Sequence, residues 1–207
     1  MSLIRRTRSL EPSYFDELYQ RERDPWSFET SPYEDEKYRA TVEAAASPRA
    51  ARCLEVGCSI GVLTRRLAAV TTCVLATDVS ATALRVAEQR CADLTNVRFR
   101  RVSTPGQNFQ GRFDLIVLSE VVYFWDDRDL DLVAAGVCRS LDPGGRLLLV
   151  HWIGETDYPK SGDDAVEALG ARLAPQFSTA FGLRSDKFRL DLWRREEGAG
   201  APSERAD

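Results

Sequence analysis

Hydrophobic and polar positions along the chain follow two periods, which predict strands and helices in regular succession. Helical spacing predicts helices at residues 12–23, 31–46, 81–90, 129–141 and 163–173, and another that starts at the second of two loop glycines. Short apolar runs predict a first strand ending before Gly57 and further strands at residues 73–78, 97–102, 113–118, 146–150, 176–181 and 187–194. This alternation predicts an α/β fold with a mostly parallel sheet.

The turn after the first strand holds two glycines, Gly57 and Gly61. Because glycine has no Cβ, the backbone can bend sharply there and come close to a ligand. Glu55 lies at the carboxyl end of the strand, where open α/β sheets bind ligands. Ser59 and Val62 stand where a dinucleotide fingerprint needs its second and third glycines, which disfavours a nicotinamide oxidoreductase. A tight turn without a ligand is the alternative interpretation.

A second acid follows the second predicted strand. Asp78 ends that strand and precedes Val79, Ser80 and a predicted helix. A carboxylate at this position can accept both hydroxyls of a ribose, while Val79 can pack on the base. Asp78 can also serve only as a helix cap, a role that Ser80 fills equally well.

Composition limits the domain count and the partners. The 207 residues, 43% hydrophobic and 29% charged, suit one domain, predicted at residues 12–195 between disordered segments at 1–11 and 196–207. The net charge of −4 argues against nucleic acid as a partner. No apolar run reaches the length of a membrane span, so we expect a cytoplasmic protein without a membrane partner.

Cysteine and histidine usage argues against a metal. The five cysteines form no Cys-x-x-Cys pair, so neither a disulfide framework nor a zinc site is predicted. Cys58 lies in the glycine loop and is the thiol expected to touch a ligand. His151 is the single histidine, and no carboxylate-rich cluster accompanies it.

Several motifs carry a family resemblance. The spacing Glu-x-Gly-x-x-x-Gly resembles the first motif of class I S-adenosylmethionine methyltransferases. Residues 14–195 resemble nodulation protein S (NodS) type N-methyltransferases, which methylate an amino sugar of a chitooligosaccharide. The motifs that carry this resemblance are Asp24-Pro25-Trp26, Tyr33-Glu34, Lys37-Tyr38, residues 54–61 and residues 115–121.

The resemblance implies a Rossmann-like class I fold. Its seven-stranded sheet is mostly parallel with an antiparallel C-terminal strand, helices cover both faces, and residues 12–46 form a helical lid. It implies S-adenosyl-L-methionine as cofactor, S-adenosyl-L-homocysteine as product and no metal. A lid that packs on the sheet without touching ligand is the alternative. The predicted cofactor-binding residues are Trp26, Tyr33, Tyr38, Glu55, Gly57, Cys58, Ser59, Gly61, Asp78, Val79 and Ser119.

Three residues are predicted on the acceptor side. Glu120 follows the fourth strand, where it can pair with an amine, accept its proton or only hold the loop. Tyr123 is a weaker candidate. His151 ends the fifth strand and is either a proton acceptor near neutral pH or a structural residue. At the end of the third strand Ser103 and Thr104 replace the acid that many methyltransferases direct at adenine, so backbone groups are expected to contribute there.

The resulting hypothesis is N-methylation of a small-molecule amine such as an amino sugar or a deacetylated chitooligosaccharide. An oxygen-directed small-molecule methyltransferase and a non-catalytic S-adenosylmethionine-binding protein are the alternatives. A hydroxyl holds its proton more tightly than an amine, so a base would be indispensable for the oxygen-directed enzyme. The sequence specifies neither the acceptor's chain length nor the oligomeric state.

Overall fold

Residues 4–106 and 109–198 are described by a computed structural model. Within them the α-helices are α1 Pro12–Arg21, α2 Pro32–Ala46, α3 Val62–Val70, α4 Ala81–Arg90, α5 Asp127–Ser140 and α6 Gly162–Leu173. The strands are β1 Arg52–Val56, β2 Cys73–Asp78, β3 Val97–Arg101, β4 Phe113–Ser119, β5 Leu141–Trp152, β6 Phe177–Arg184 and β7 Phe188–Arg195. A short 3-10 helix, Val122–Phe124, follows β4. The predicted succession of strands and helices is confirmed.

The strands form a single seven-stranded sheet of order β3-β2-β1-β4-β5-β7-β6. Strand β7 is antiparallel to both of its neighbours, and the other pairings are parallel. The prediction of a mostly parallel sheet with an antiparallel C-terminal strand is therefore confirmed. The strand order reverses between β1 and β4, and the carboxyl edge of an open sheet forms a ligand-binding crevice at such a point.

The centre of the sheet is apolar on both faces. Leu115, Ile116, Val117 and Leu118 of β4 are fully buried. Ile116 and Leu118 belong to the core cluster that includes α5 and α6, while Leu115 and Val117 belong to the cluster that includes α2 and α3. Successive side chains of a strand point to opposite faces, so a strand covered on both sides must be apolar throughout.

Strand β5 differs from its prediction at its start. The sequence predicts that the helix ends at Leu141 and that the strand begins at Arg146. Instead Leu141 already pairs with Phe113, and the next pairing of the same two strands joins Arg146 to Leu115. Residues 142–145 therefore form an irregularity within the ladder, which lets the Pro-Gly-Gly segment bend without ending the strand.

Helix α2 is fixed at both ends. Its first turn is capped by Ser31, whose side chain accepts a hydrogen bond from the backbone N–H of Glu34. At its other end the buried guanidinium of Arg146 donates to the carbonyl oxygens of Ala45 at 3.2 Å and Ser47 at 2.8 Å. Since carbonyls at a helix C-terminus lack partners within the helix, Arg146 anchors α2 to the sheet.

The described ends of the chain, which belong to segments predicted to be disordered, make backbone hydrogen bonds to the rest of the domain. The Arg6 N–H donates to the Asp157 carbonyl, and the Leu10 N–H donates to the carbonyl of Phe124. Glu196 donates its N–H to a carbonyl beside β6. Residues 1–3 and 199–207, which share that prediction, lie outside the described residues. Across the described ranges no helix combines the length and apolar character that crossing a membrane requires.

Candidate active site

One cavity of about 610 Å³ lies where the carboxyl ends of β1, β2, β4 and β5 meet, and residues of α1 and α2 line its other side. This volume is in the range of small-molecule sites. The predicted acceptor-side residues Glu120 and Tyr123 line it. The predicted cofactor residues that line it are Trp26, Tyr33, Tyr38, Glu55, Gly57, Cys58, Ser59, Asp78, Val79 and Ser119.

Gly57 gives the first turn its shape. Its φ is +77°, and a Cβ at this position would collide with Cγ1 of Val121. The N–H groups of Gly57 and Cys58 both donate to the carbonyl of Thr77, at 2.8 and 2.9 Å. The glycine therefore lets the loop lie close to both β2 and the segment after β4, and the cavity begins above it.

Gly61, which was predicted to bind the cofactor, does not line the cavity, although its φ is +79°. A Cβ built on it would lie 2.9 Å from Cβ of Ala87 in α4. The prediction that Gly61 lies against a ligand is thus not supported by its position. Its missing side chain allows α3 and α4 to pack closely at the start of α3.

Asp78 presents a buried carboxylate to the cavity. Oδ2 accepts the Ser59 N–H and Oδ1 accepts the Ser80 N–H, both at 2.8 Å. Burial raises the pKa of Asp78, against the lowering effect of these backbone hydrogen bonds. A carboxylate has about four lone-pair sites, so Asp78 keeps acceptor capacity toward the cavity. Ser80 also caps α4, since its hydroxyl accepts the Ala83 N–H at 3.3 Å.

Glu55 is the most enclosed acid of the cavity, only 1% exposed. Its Oε2 accepts a hydrogen bond from the Thr64 hydroxyl at 2.6 Å. Burial raises the pKa of Glu55 to about 7, although this hydrogen bond lowers it. Glu55 therefore joins β1 to α3 beneath the glycine turn.

The end of β3 offers hydroxyl groups rather than an acid. Ser103 and Thr104 line the cavity together with Val102, Pro105 and Gly106. Oγ1 of Thr104 is buried and has no hydrogen-bond partner among the described residues. A buried polar atom without a partner is costly unless a ligand or water satisfies it. This end of the cavity accordingly fits the polar base of a nucleoside cofactor.

Tyr19 is a cavity residue that sequence reasoning treated only as part of a packing stripe. It is 6% exposed and its hydroxyl is hydrogen-bonded to that of Ser59. Its ring lies 5.7 Å from the Trp26 ring, edge on, and Trp26 in turn contacts Phe28. The N-terminal aromatic residues thus extend from α1 to the glycine loop. A periodic aromatic stripe in the sequence does not reveal which of its members reaches a loop 40 residues away.

Glu120 is held in a strained backbone conformation. Its φ is +58°, which non-glycine residues adopt at a cost of roughly 1–2 kcal/mol. Oε1 accepts from Lys37 Nζ at 2.5 Å and Oε2 from the Tyr123 hydroxyl at 2.5 Å. The Trp152 N–H donates to both oxygens, at 3.2 and 2.9 Å. Every acceptor position of the carboxylate is engaged.

Lys37 connects Glu120 to the N-terminal helices. The ammonium is buried, 1% exposed, and lies 2.8–2.9 Å from both carboxylate oxygens of Glu34, one turn earlier on α2. Burial raises the pKa of Glu120, but the Lys37 ammonium, together with His151 and the Trp152 N–H, holds that pKa below its usual value. Burial also raises the pKa of Glu34, which the same ammonium offsets only in part, so it stays above its usual value.

Aromatic rings surround these charges. Tyr33 stands edge on to Trp152, with ring centroids 5.1 Å apart, and Lys37 Nζ lies 5.0 Å from the Tyr33 ring. Tyr123 stacks on Tyr158 at 5.2 Å. The Tyr33 hydroxyl is buried without a hydrogen-bond partner among the described residues. Aromatic faces attract cations, so the walls on this side suit a positively charged or amine ligand.

His151 has the surroundings of a structural residue, which was one of its two predicted roles. It is fully buried and does not line the cavity. Its Nε2 accepts the Val122 N–H at 3.2 Å, and its ring contacts Tyr123 edge on at 5.3 Å. Burial lowers the pKa of His151 to about 4. His151 lies near the carboxyl end of β5, as the sequence predicts. The register of the strand directs its side chain into the core, where it supports the 3-10 helix.

The described ranges contain no group of three or more His, Cys, Asp or Glu side chains placed to hold a metal ion.

Fold and site together define the class of the protein. The order of the seven strands, the glycine turn after β1 and the buried acid ending β2 form the class I S-adenosylmethionine methyltransferase fold.

The chain belongs to the nodulation protein S (NodS) family, whose model matches residues 15–148. Nodulation protein S of Rhizobium tropici is 30% identical over 129 residues, which are 60% of this chain and 53% of that protein. The chain spans about half the length of the curated nodulation proteins it matches. The family resemblance inferred from the sequence motifs is confirmed.

Two solved structures are similar over most of the chain. A putative methyltransferase from Pseudomonas syringae is 32% identical, with a TM-score of 0.69 over 79% of this chain and 99% of that one. The N-methyltransferase NodS from Bradyrhizobium japonicum WM9, in complex with S-adenosyl-L-homocysteine, is 21% identical. Its TM-score is 0.75 over 87% of this chain and 98% of that one.

Proposed function

We propose that this protein is an S-adenosylmethionine-dependent N-methyltransferase whose acceptor is a small-molecule amine, such as an amino sugar or a deacetylated chitooligosaccharide. The observation that carries the proposal is the continuous cavity, which joins the Asp78 carboxylate and the Gly57 turn to the charged aromatic end at Glu120. A nucleoside cofactor and an acceptor can therefore meet in one cavity. Membership of the NodS family supports the same activity.

The cofactor side of the cavity has the donors and acceptors that S-adenosylmethionine requires. In this proposal Asp78 binds the ribose hydroxyls, Val79 packs on the base, and Thr104 offers its unpartnered Oγ1 to it. The N-terminal helices form the lid, with Trp26 and Tyr38 on its inner side. The cofactor supplies a methyl group on a sulfonium, which any aligned nucleophile can displace, so the protein's task is to orient the acceptor and exclude water.

The chemistry of the acceptor side favours an amine over a hydroxyl. Glu120 has each lone pair engaged, and His151 is buried outside the cavity, so neither is placed to deprotonate a hydroxyl. An amine with a pKa near the α-amino reference of roughly 8 loses its proton far more easily. The acidic and aromatic walls also suit a cation.

Acceptor screening tests the proposal. The protein is incubated with S-adenosylmethionine and deacetylated or N-acetylated chitooligosaccharides of equal length, and products are measured by mass spectrometry. We expect S-adenosylhomocysteine and one added methyl group with the deacetylated sugars only. Methylation of both series would favour the oxygen-directed enzyme. Cofactor binding without turnover on amines or hydroxyls would favour a non-catalytic binding protein.

The ribose assignment has its own test. We expect Asp78→Ala to abolish S-adenosylhomocysteine binding measured by calorimetry, because the charge-assisted hydrogen bonds to the ribose and the support for the Ser59 N–H are lost together. Asp93→Ala removes a carboxylate from an exposed ion pair with Arg65 and serves as the control. Unchanged affinity of the Asp78 variant would refute the assignment.

A further inference from the structure

Two carboxylates share one ammonium at the acceptor end of the cavity, and they differ in how fully they are engaged. Glu120 accepts hydrogen bonds from Lys37, Tyr123 and the Trp152 backbone. Glu34 interacts with Lys37 and with the Tyr38 hydroxyl on its own helix. Its Oε1 accepts the ammonium's hydrogen bond, while Oε2 lies in ion-pair range of the same ammonium but has no hydrogen-bond partner among the described residues. Glu34 therefore keeps acceptor capacity that Glu120 has lost.

The position of Glu34 makes this capacity available to a ligand. The residue is 6% exposed, yet it lines the cavity beside Tyr33 and Lys37. With both glutamates ionised, the cluster of Glu34, Glu120 and Lys37 carries one net negative charge in a buried site. An uncompensated buried charge is costly, so a cationic group entering the cavity next to Glu34 would be stabilised.

From this geometry we infer that Glu34 is the catalytic residue that binds the acceptor's ammonium and removes its proton, whereas Glu120 is a positioning residue that holds Lys37 and Tyr123. The inference rests on the proposed N-methyltransferase function. Of the roles that the sequence left open for Glu120, the inference keeps that of holding the loop and gives the proton-accepting role to Glu34.

The proton and electron balance of the step is simple. The acceptor ammonium gives one proton to the Glu34 carboxylate, which leaves a neutral amine with a free lone pair. That lone pair forms the new nitrogen–carbon bond, the carbon–sulfur bond breaks, and its electron pair goes to sulfur. The product is a methylated ammonium, and Glu34 returns its proton to solvent.

The electrostatic surroundings of Glu34 agree with this role. Lys37 and Tyr38 face it from α2, and Glu120 faces it from the segment after β4. Burial raises its pKa, the Lys37 ammonium lowers it and Glu120 raises it again, with the result above the usual value for a glutamate. A base with a raised pKa is a better proton acceptor near neutral pH than one whose pKa is lowered, as in Glu120.

The test compares Glu34→Gln with Glu36→Gln, a matched change at an exposed position of the same helix. We expect S-adenosylhomocysteine affinity by calorimetry to be the same in both variants. With a deacetylated chitooligosaccharide, kcat/KM of Glu34→Gln should fall at least tenfold at pH 7 and less than threefold at pH 9, because only the free amine then reacts. Glu36→Gln should follow the wild-type pH profile.

Several results would overturn the assignment. The first is a pH profile of kcat/KM for Glu34→Gln that is the same as that of the wild type. The second is a change in this pH profile that occurs in Glu120→Gln but not in Glu34→Gln. If Glu34→Gln does not fold, Glu34→Asp keeps the charge but withdraws it by one methylene. It should then raise KM for the amine at least fivefold with cofactor affinity kept, and an unchanged KM would refute the inference. A wild-type protein that methylates no amine would instead refute the proposed function.

Discussion

The hydroxyl of Tyr19 on α1 is hydrogen-bonded to the hydroxyl of Ser59 in the glycine loop. Ser59 itself has a φ of +52°, and its N–H donates to Oδ2 of Asp78 at 2.8 Å. The N-terminal helix is therefore connected through one residue to the carboxylate proposed to bind ribose. A glycine at position 59 would adopt this backbone more easily but would lack the hydroxyl that Tyr19 contacts.

Removing either hydroxyl should weaken cofactor binding. A hydrogen bond of this kind contributes about 0.5–1.5 kcal/mol, so Tyr19→Phe and Ser59→Gly should each lower S-adenosylhomocysteine affinity about two- to tenfold in calorimetry. The double variant should be no weaker than the poorer single variant, because both changes break the same interaction. Tyr14→Phe makes the same chemical change on α1 outside the cavity lining and is the control. Fully additive losses would contradict the coupling.

Replacing either loop glycine by alanine should destabilise the protein, and the structural reason differs between the two positions. Gly57→Ala combines left-handed strain with a collision against Val121, and Gly61→Ala combines it with pressure on Ala87. Strain costs roughly 1–2 kcal/mol and overpacking typically 1–3, so each should lower the free energy of unfolding by about 2–5 kcal/mol. Urea denaturation measures this, with Gly182→Ala as control because a Cβ there meets nothing within 4 Å. Gly61→Ala as stable as this control would refute the packing role.

His151 should make stability depend on pH. Its folded pKa is about 4, against an unfolded reference of roughly 6.5, so the unfolded state binds more protons between these values. The lowered pKa contributes about 3 kcal/mol to the free energy of unfolding. This contribution is present above roughly pH 6.5 and is lost as the pH falls toward 4. Burial, Arg189 and Lys37 lower the pKa of His151. Their combined effect exceeds that of the Glu120 and Asp191 carboxylates, which raise it.

The variant His151→Gln isolates this effect, since its amide oxygen can still accept the Val122 N–H while it carries no titrating group. We expect the stability gap between wild type and variant, measured by urea unfolding, to narrow steadily from pH 7 to pH 4. Turnover on an amine should stay within twofold of wild type because the ring does not line the cavity. A large loss of turnover with full stability would restore the proton-acceptor role.

The sequence alone determined the elements and one side of the cavity. Apolar periodicity identified the strands, and the pattern Glu55, Gly57 and Asp78 identified residues that line the cavity together, because these features are local to one βαβ unit. Residues at the carboxyl ends of neighbouring parallel strands must lie at the same edge of the sheet. Ser59 likewise argued correctly against a dinucleotide fold.

Only the tertiary structure decided which side chains turn toward the ligand and which charges they share. Gly61 and His151 follow the sequence pattern of site residues, but helix packing and strand register place one against Ala87 and the other in the core. The pairing of Lys37 with Glu120 joins residues 83 positions apart. Contacts between distant segments depend on how α2 packs against β5 and β7, and the local periodicity of the sequence does not determine that packing.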